Sequence, residues 1–274
     1  MAKKRLIFTL LYNDGGFMLS RNFRLQRAGD IKWLKTNYNF KRIAFSIDEL
    51  IILDVSRNER NIDRFCEHIK AISQQCFIPV AAGGGIRHLA QAKQLINSGA
   101  DKLVVNTILQ QDPSLVKDLV KIYGSQCIIA SVDIKKQTDG LACFINNGTQ
   151  KTDLSFLQYI QQITALGVGE IYLNSIDKDG TGQGYLFELI ETIKDQVQVP
   201  VIMAGGAGNW NHLLEGIQHQ MTSAVATANL FNFVGDGFPN ARKQLLSSRI
   251  NLAQWEAQGI ENLKNSISSQ EKLG

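Results

Sequence analysis

The chain reads as an α/β protein of the (βα)8 class: a closed barrel built from two similar halves, with a short C-terminal extension. Three observations predict it. Short β-branched apolar runs alternate eight times with segments of helical spacing. Two glycine turns, AAGGGIR at Ala81 to Arg87 and AGGAGN at Ala204 to Asn209, lie 122 residues apart. Further pairs keep nearly the same interval: Glu49 with Glu170, and VVNTIL from Val104 with VATANL from Val225, are each 121 apart. An open doubly wound sheet would also alternate, but eight buried strands and an internal repeat favour closure. The loops at the carboxyl ends of the strands then form the site.

The elements follow in order. Arg5 to Leu11 (RLIFTLL) predicts the first buried strand. The polar, glycine-bearing stretch Tyr12 to Gly29 reads as a loop long enough to be a functional lid. A helix is expected over Ile31 to Tyr38 and a strand over Glu49 to Val55. Asn61 to Ser73 places Ile62, Phe65, Ile69 and Ile72 on one helical side. Strand Phe77 to Ala81, the first glycine turn, helix Leu89 to Asn97 and strand Lys102 to Val105 come next. Pro113 suits the first turn of a helix running to Ile122.

The second half repeats this order. Strand Cys127 to Asp133 leads into Asp139-Gly140 and Asn146-Asn147-Gly148, a predicted hairpin insertion. Then follow helix Leu154 to Leu166, strand Glu170 to Asn174, helix Phe187 to Asp195 and strand Val199 to Met203. The second glycine turn, helix Asn211 to Ile217 and strand Ala224 to Ala226 complete eight units. Ala241 to Ser248 predicts a closing helix. A single domain over residues 1–250 is expected, with 251–274 as a tail. From Trp255 that tail is rich in Asn, Ser, Gln, Glu and Lys, a composition for a frayed helix or disorder.

Composition removes several classes. The formal charge of +4 comes with no long basic run, which argues against a nucleic-acid surface. No apolar run reaches the length of a membrane span, and the start, KKRLIFTLLYNDGG, lacks a small-residue cleavage site. Cys66, Cys76, Cys127 and Cys143 form no CxxC pair and no histidine stands at metal-ligand spacing. A cytoplasmic protein with reduced thiols, no metal and no cofactor is expected, inserted in no membrane.

A strand that ends in glycines and opens into a helix presents backbone N–H groups to an anion. Two such turns across one barrel mouth predict a phosphorylated small-molecule ligand with a phosphate at each end. Asp133 ends the fifth strand, with Lys135 two residues on, and reads as catalytic or ligand-binding. Its repeat mate, 122 residues earlier, is Leu11. Two facing carboxylates would supply a proton donor and an acceptor; here one is present. Asp14 lies three residues further along and is the candidate for a displaced acid. Asp54, Asp177 and Asp179 follow strands two and six.

From Lys4 to about Phe233 the chain resembles the cyclase subunit of imidazole glycerol phosphate synthase. The blocks DELIILDV, PVAAGGGI, GADKLVVNT, GSQCIIASVDIKK, GEIYLNSIDKDGTGQGY and PVIMAGGAG carry the resemblance in order and spacing. It implies a TIM barrel that receives ammonia from a separate glutaminase subunit, as a heterodimer, and closes an imidazole ring. It implies phosphate or substrate contacts at Gly84, Gly85, Asn106, Thr107, Asp179, Gly205, Gly206, Ala228 and Asn229, and a catalytic role for Asp133. It further implies an ammonia gate at the barrel floor, made of Arg5, Glu49, Lys102 and Glu170; a plain salt-bridge network is the alternative there.

The departures fall on the substrate face. Leu11 stands where the family has its other catalytic aspartate and Leu19 where it has a phosphate-holding lysine. Ala204 replaces a serine and Asn174 a threonine. This pattern resembles cyclase-like paralogues associated with amidation of a surface glycan, as in O-antigen. These work with a glutaminase and a sugar amidotransferase that turns an acetamido into an amidino group. Two alternatives stand beside that reading: an authentic cyclase (a lyase) of histidine biosynthesis, and a non-catalytic subunit that senses a phosphorylated ligand.

Overall fold

In β1, Arg5–Asn13, every second residue turns inward. Ile7 packs inside the barrel, whereas Leu6, Phe8, Leu10 and Tyr12 join the outer core under the helices. This period of two fixes which side chains can reach the barrel axis. The computed structural model describes residues 2–38, 40–43 and 45–254, so the tail expectation from Trp255 onward lies outside the described residues.

Seven further parallel strands complete the barrel: β4 (Glu49–Asp54), β5 (Val80–Gly83), β6 (Lys102–Val105), β7 (Ile128–Gln137), β10 (Glu170–Ser175), β11 (Val201–Ala204) and β12 (Thr222–Thr227). They follow one another around the ring, β7 pairs with β10, and β12 returns to β1. The predicted (βα)8 TIM barrel is what forms. Its interior holds Ile7, Ile51, Ala81, Val104, Ile129, Tyr172, Ile202 and Ala224.

The helices begin where the sequence offers side-chain acceptors. Asp30 caps α1 (Ile31–Asn37) through the Trp33 N–H, and Asn61 caps α3 (Ile62–Ser73) through that of Arg64. Asp112 caps α6 (Pro113–Tyr123), with Pro113 in its first turn. Ser155 and Gln158 form a capping box on α7 (Phe156–Ala165), and Asn209 caps α9 (Trp210–Gln218). Helices α4 (Leu89–Asn97), α8 (Glu188–Ile193) and α10 (Gly237–Ser247) lie within a few residues of expectation, α10 beginning earliest. Two one-turn helices, α2 (Phe40–Ile43) and α5 (Ile108–Gln111), were too short to show periodicity.

One expectation is corrected. Tyr12 to Gly29 is no loop: it ends β1 and forms a hairpin of β2 (Gly16–Arg21) and β3 (Arg24–Asp30). Asp14 and Gly15 both take positive φ, as do Asn22 and Phe23, giving two tight reversals. β3 is mostly polar and solvent-facing, and the short apolar run of β2, Phe17 to Leu19, does not alternate, which hid the pair. The second insertion is the predicted hairpin, β8 (Gly140–Ile145) and β9 (Gln150–Ser155). Each hairpin follows the first strand of its half.

Their tips obey the same pseudo-symmetry. Asn22 Nδ2 donates to the Asp177 carbonyl at 2.9 Å, and Asn147 Nδ2 to that of Ser56 at 3.3 Å. Ser56 and Asp177 are themselves 121 residues apart. Past α10 the chain runs beside β1: Lys4 N–H donates to the Asn251 carbonyl at 2.9 Å and Leu252 is buried.

Cys76 and Cys143 are buried and Cys66 and Cys127 half-buried, all four as free thiols. Among the described residues no helix is long and apolar enough to cross a membrane.

Candidate active site at the barrel mouth

At the carboxyl ends of the strands lies a chamber of about 710 Å³, lined by residues of both halves. Both glycine turns open into it. Gly84 and Gly85 have φ of 101° and 75°, and Gly205 and Gly206 of 81° and 114°. A Cβ at Gly84 would overlap the Asp54 carbonyl, and one at Gly206 the Gly184 carbonyl. Both turns therefore need glycine for conformation and for space.

Asp133 ends the inward-facing row of β7 and is 8% exposed. Asn106 Nδ2 donates to its Oδ2 at 3.1 Å, and Asn174 Nδ2 to its Oδ1, also at 3.1 Å. Burial pushes the carboxyl up to about 7; the Asn174 hydrogen bond opposes this and the Asp179 charge adds to it. A buried carboxyl that titrates near neutrality can give or take a proton under working conditions.

Across the chamber, on β1, stands Leu11. Asp14 does not fill that gap. It sits in the turn after β1, its side chain is 76% exposed, and its carboxylate pairs with Arg64 at 2.8 Å, outside the chamber lining. Leu19, on β2, also lines the chamber and packs on the core. Besides Asp133, the lining carboxylates are Asp54 and Asp179. Asp54 accepts from the Ser56 N–H at 2.9 Å. Asp179 accepts from the Ser20 hydroxyl and from the Phe23 N–H at 3.0 Å, and so holds the first hairpin over the mouth. Burial raises both carboxyls, opposed in each case by these hydrogen bonds.

The other residues implicated by the sequence also gather here. Thr107 Oγ1 accepts from the Asn146 N–H at 3.2 Å. Ala228 and Asn229 line the chamber after β12, and the Asn229 N–H donates to Thr227 Oγ1 at 3.3 Å. Asn106 faces Asp133 with its amide, so its side chain positions the carboxyl. Asn174, noted in the sequence only as a departure, does the same from the other side. Nothing in the linear order pairs these amides with Asp133, although all three stand at the mouth end of barrel strands.

Arg5, Glu49, Lys102 and Glu170 sit at the other end of the barrel, at the starts of β1, β4, β6 and β10. They close an alternating ring. Arg5 reaches Glu49 at 2.6 Å and Glu170 at 2.9 Å, while Lys102 reaches Glu49 at 3.0 Å and Glu170 at 3.3 Å. Burial raises the Glu49 carboxyl, opposed by Lys102 and Arg5. Tyr172 lines the chamber from within the barrel, its hydroxyl 3.2 Å from Thr9 Oγ1. Neither residue is marked by a motif of its own in the sequence; inward register on β1 and β10 is the signal that picks out the pair.

Comparison with known proteins decides the family. The profile of a family described as "Histidine biosynthesis protein" matches residues 29–235. A relative from Parasynechococcus marenigrum (strain WH8102), provisionally named imidazole glycerol phosphate synthase subunit hisF2, is 47% identical over 256 residues, covering 93% of this chain and 95% of its own. The chain belongs to the imidazole glycerol phosphate synthase cyclase-subunit family. Imidazole glycerol phosphate synthase subunit HisF of Streptococcus sanguinis (strain SK36) is 34% identical over 236 residues, covering 85% and 92% of the two chains. In this family setting the mouth chamber with Asp133 is the candidate active site.

Proposed function

We propose that this member of the family is the ammonia-accepting subunit of a glutamine amidotransferase pair. It serves amidation of a surface-glycan sugar, acetamido to amidino, and carries out little imidazole-forming chemistry itself. The observation that carries the reading is the pairing of Leu11 with Asp133 across the mouth: leucine can neither give nor take a proton, and losing one general acid or base costs about 10²–10⁴ in rate. The floor ring supports the ammonia route. Arg5 and Lys102 are long cations bound to two carboxylates at the barrel's lower opening, and in this reading their movement admits ammonia to the barrel interior. In this reading a glutaminase docks at that floor as the heterodimeric partner, and a sugar amidotransferase receives the product of the pair. The glycine turns hold the phosphates of a small ligand whose binding reports to the glutaminase.

An authentic cyclase is the second reading, and Asp133 favours it, since a buried carboxyl that titrates near 7 is suited to proton transfer. Complementation of a histidine auxotroph lacking its cyclase separates the two. Amidation predicts no growth with the natural chain; growth at the normal rate would reject that reading in favour of the cyclase. Leu11→Asp then tests what else is missing, because a gain in cyclase turnover would make Leu11 the main lesion.

A further inference from the structure

Five arginines line the chamber: Arg21 and Arg24 on the first hairpin, and Arg57, Arg60 and Arg87 on the loops after β4 and β5, the loops of the Gly84–Gly85 end. The Arg60 side chain lies where a Gly85 Cβ would be, so it lies over the glycine turn. Its Nε is buried without a hydrogen bond and stands 3.8 Å from Asp54 Oδ1. Its Nη2 and the Arg87 Nη2 reach Asn147 and Asn146 only at 3.5 Å. Arg57 is exposed and donates to the Phe23 carbonyl at the chamber's edge.

These contacts leave most of the fifteen or so N–H donors of three guanidinium groups open, against one carboxylate, Asp54. Like charges brought together and partly buried oppose each other: the Arg87 pKa is lowered first by burial and then by Arg60. Such a cluster is stabilised by an anion that bridges it. The backbone N–H groups of the glycine turn can hold one phosphoryl group. Three guanidinium groups offer far more donors and positive charge than the remaining oxygens of one phosphate can use. At the other end Ala207, Ala228 and Asn229 line the wall, the Asp179 carboxylate is engaged by the hairpin, and Lys178 beside Gly206 and Arg21 beside Gly180 are the nearby cations, with no guanidinium laid over the glycine turn itself.

We propose that the Gly84–Gly85 end binds a diphosphate, with one phosphoryl on the glycine turn and the next on Arg57, Arg60 and Arg87. This rests on the phosphate-cradle reading of the turn above and names the class of ligand: a phosphoanhydride ester, placed with its diphosphate at this end.

Calorimetry on the full chain with inorganic pyrophosphate and with orthophosphate, at one ionic strength, tests it. Pyrophosphate should bind about 10-fold tighter or more, and the double variant Arg57→Ala, Arg60→Gln should lose about 10- to 100-fold of that affinity. Orthophosphate binding should change about threefold or less. The single variant Arg57→Ala alters an exposed side chain, keeps the test valid if the double variant does not fold, and should itself weaken pyrophosphate. Equal affinity for the two anions, or pyrophosphate binding indifferent to these variants, overturns the inference and leaves the cradle standing. Binding of neither anion rejects the cradle and the inference with it. Glutaminase and ammonia are absent from the assay, so its outcome is separate from that of the amidation reading.

Discussion

Asp133→Asn should stabilise the protein at about pH 8 and change little near pH 4. In the folded chain burial pushes the carboxyl up to about 7, against 3.8 for the free group. Between those values the unfolded chain has released this proton while the folded chain still holds it. The unfolded state binds fewer protons there, so stability falls as pH rises, by about 1.4 kcal/mol for each pH step. The loss is complete once the folded carboxyl ionises near pH 7, and amounts to roughly 4 kcal/mol. Asparagine has the same shape and never ionises. Its neighbours can adapt: Asn106 Nδ2 is held by the Ser131 carbonyl at 2.9 Å as well as by Asp133, but the Asn174 amide can turn over and accept the new N–H. After that rearrangement a gain of about 2–4 kcal/mol at pH 8 is expected. Urea denaturation of both proteins across the pH 4 to 8 range measures it. A difference that is flat with pH, or a variant less stable at pH 8, would mean that the amide donors, rather than burial, set the ionisation of Asp133.

Three other outcomes are expected. Gly206→Ala forces a Cβ onto the Gly184 carbonyl, whereas Gly140→Ala, at φ of 121°, meets nothing within 4 Å. Thermal melts should show the first variant less stable than the second by about 1–3 kcal/mol, and equal losses would remove the clash as the cause. Lys102→Ala leaves Glu49, whose side chain is 2% exposed, with Arg5 alone; a cost of about 1–3 kcal/mol by chemical denaturation is expected, together with altered coupling of glutamine hydrolysis to product in the reconstituted pair. Tyr172→Phe removes the hydroxyl bonded to buried Thr9 and should cost about 1 kcal/mol; an unchanged denaturation midpoint would show that the pair contributes nothing.

Much of this architecture was legible in the residues. Apolar runs at a repeat of about 121 specify eight strands and the order of their helices, and acceptors such as Asp30, Asn61 and Asp112 mark the helix starts. The first hairpin was not legible, because β3 is largely solvent-facing and lacks apolar alternation. The displaced-acid idea for Asp14 failed for a similar reason. Closeness along the chain to Leu11 says nothing about direction, and a turn at positive φ carries Asp14 out to Arg64.

The barrel, its two halves, the glycine turns and the inequality of Leu11 and Asp133 are all written in the linear order of residues. Each follows from spacing along one chain, and the strand period of two carries spacing into direction. Only closure of the barrel decided the rest. It brought Asn106 and Asn174 from separate strands onto Asp133, set Tyr172 against Thr9 on the axis, and laid Arg60 over the Gly84–Gly85 turn. Those contacts join residues that are distant in the chain or lie on loops without periodicity, and they form because the ends of parallel strands converge on one mouth.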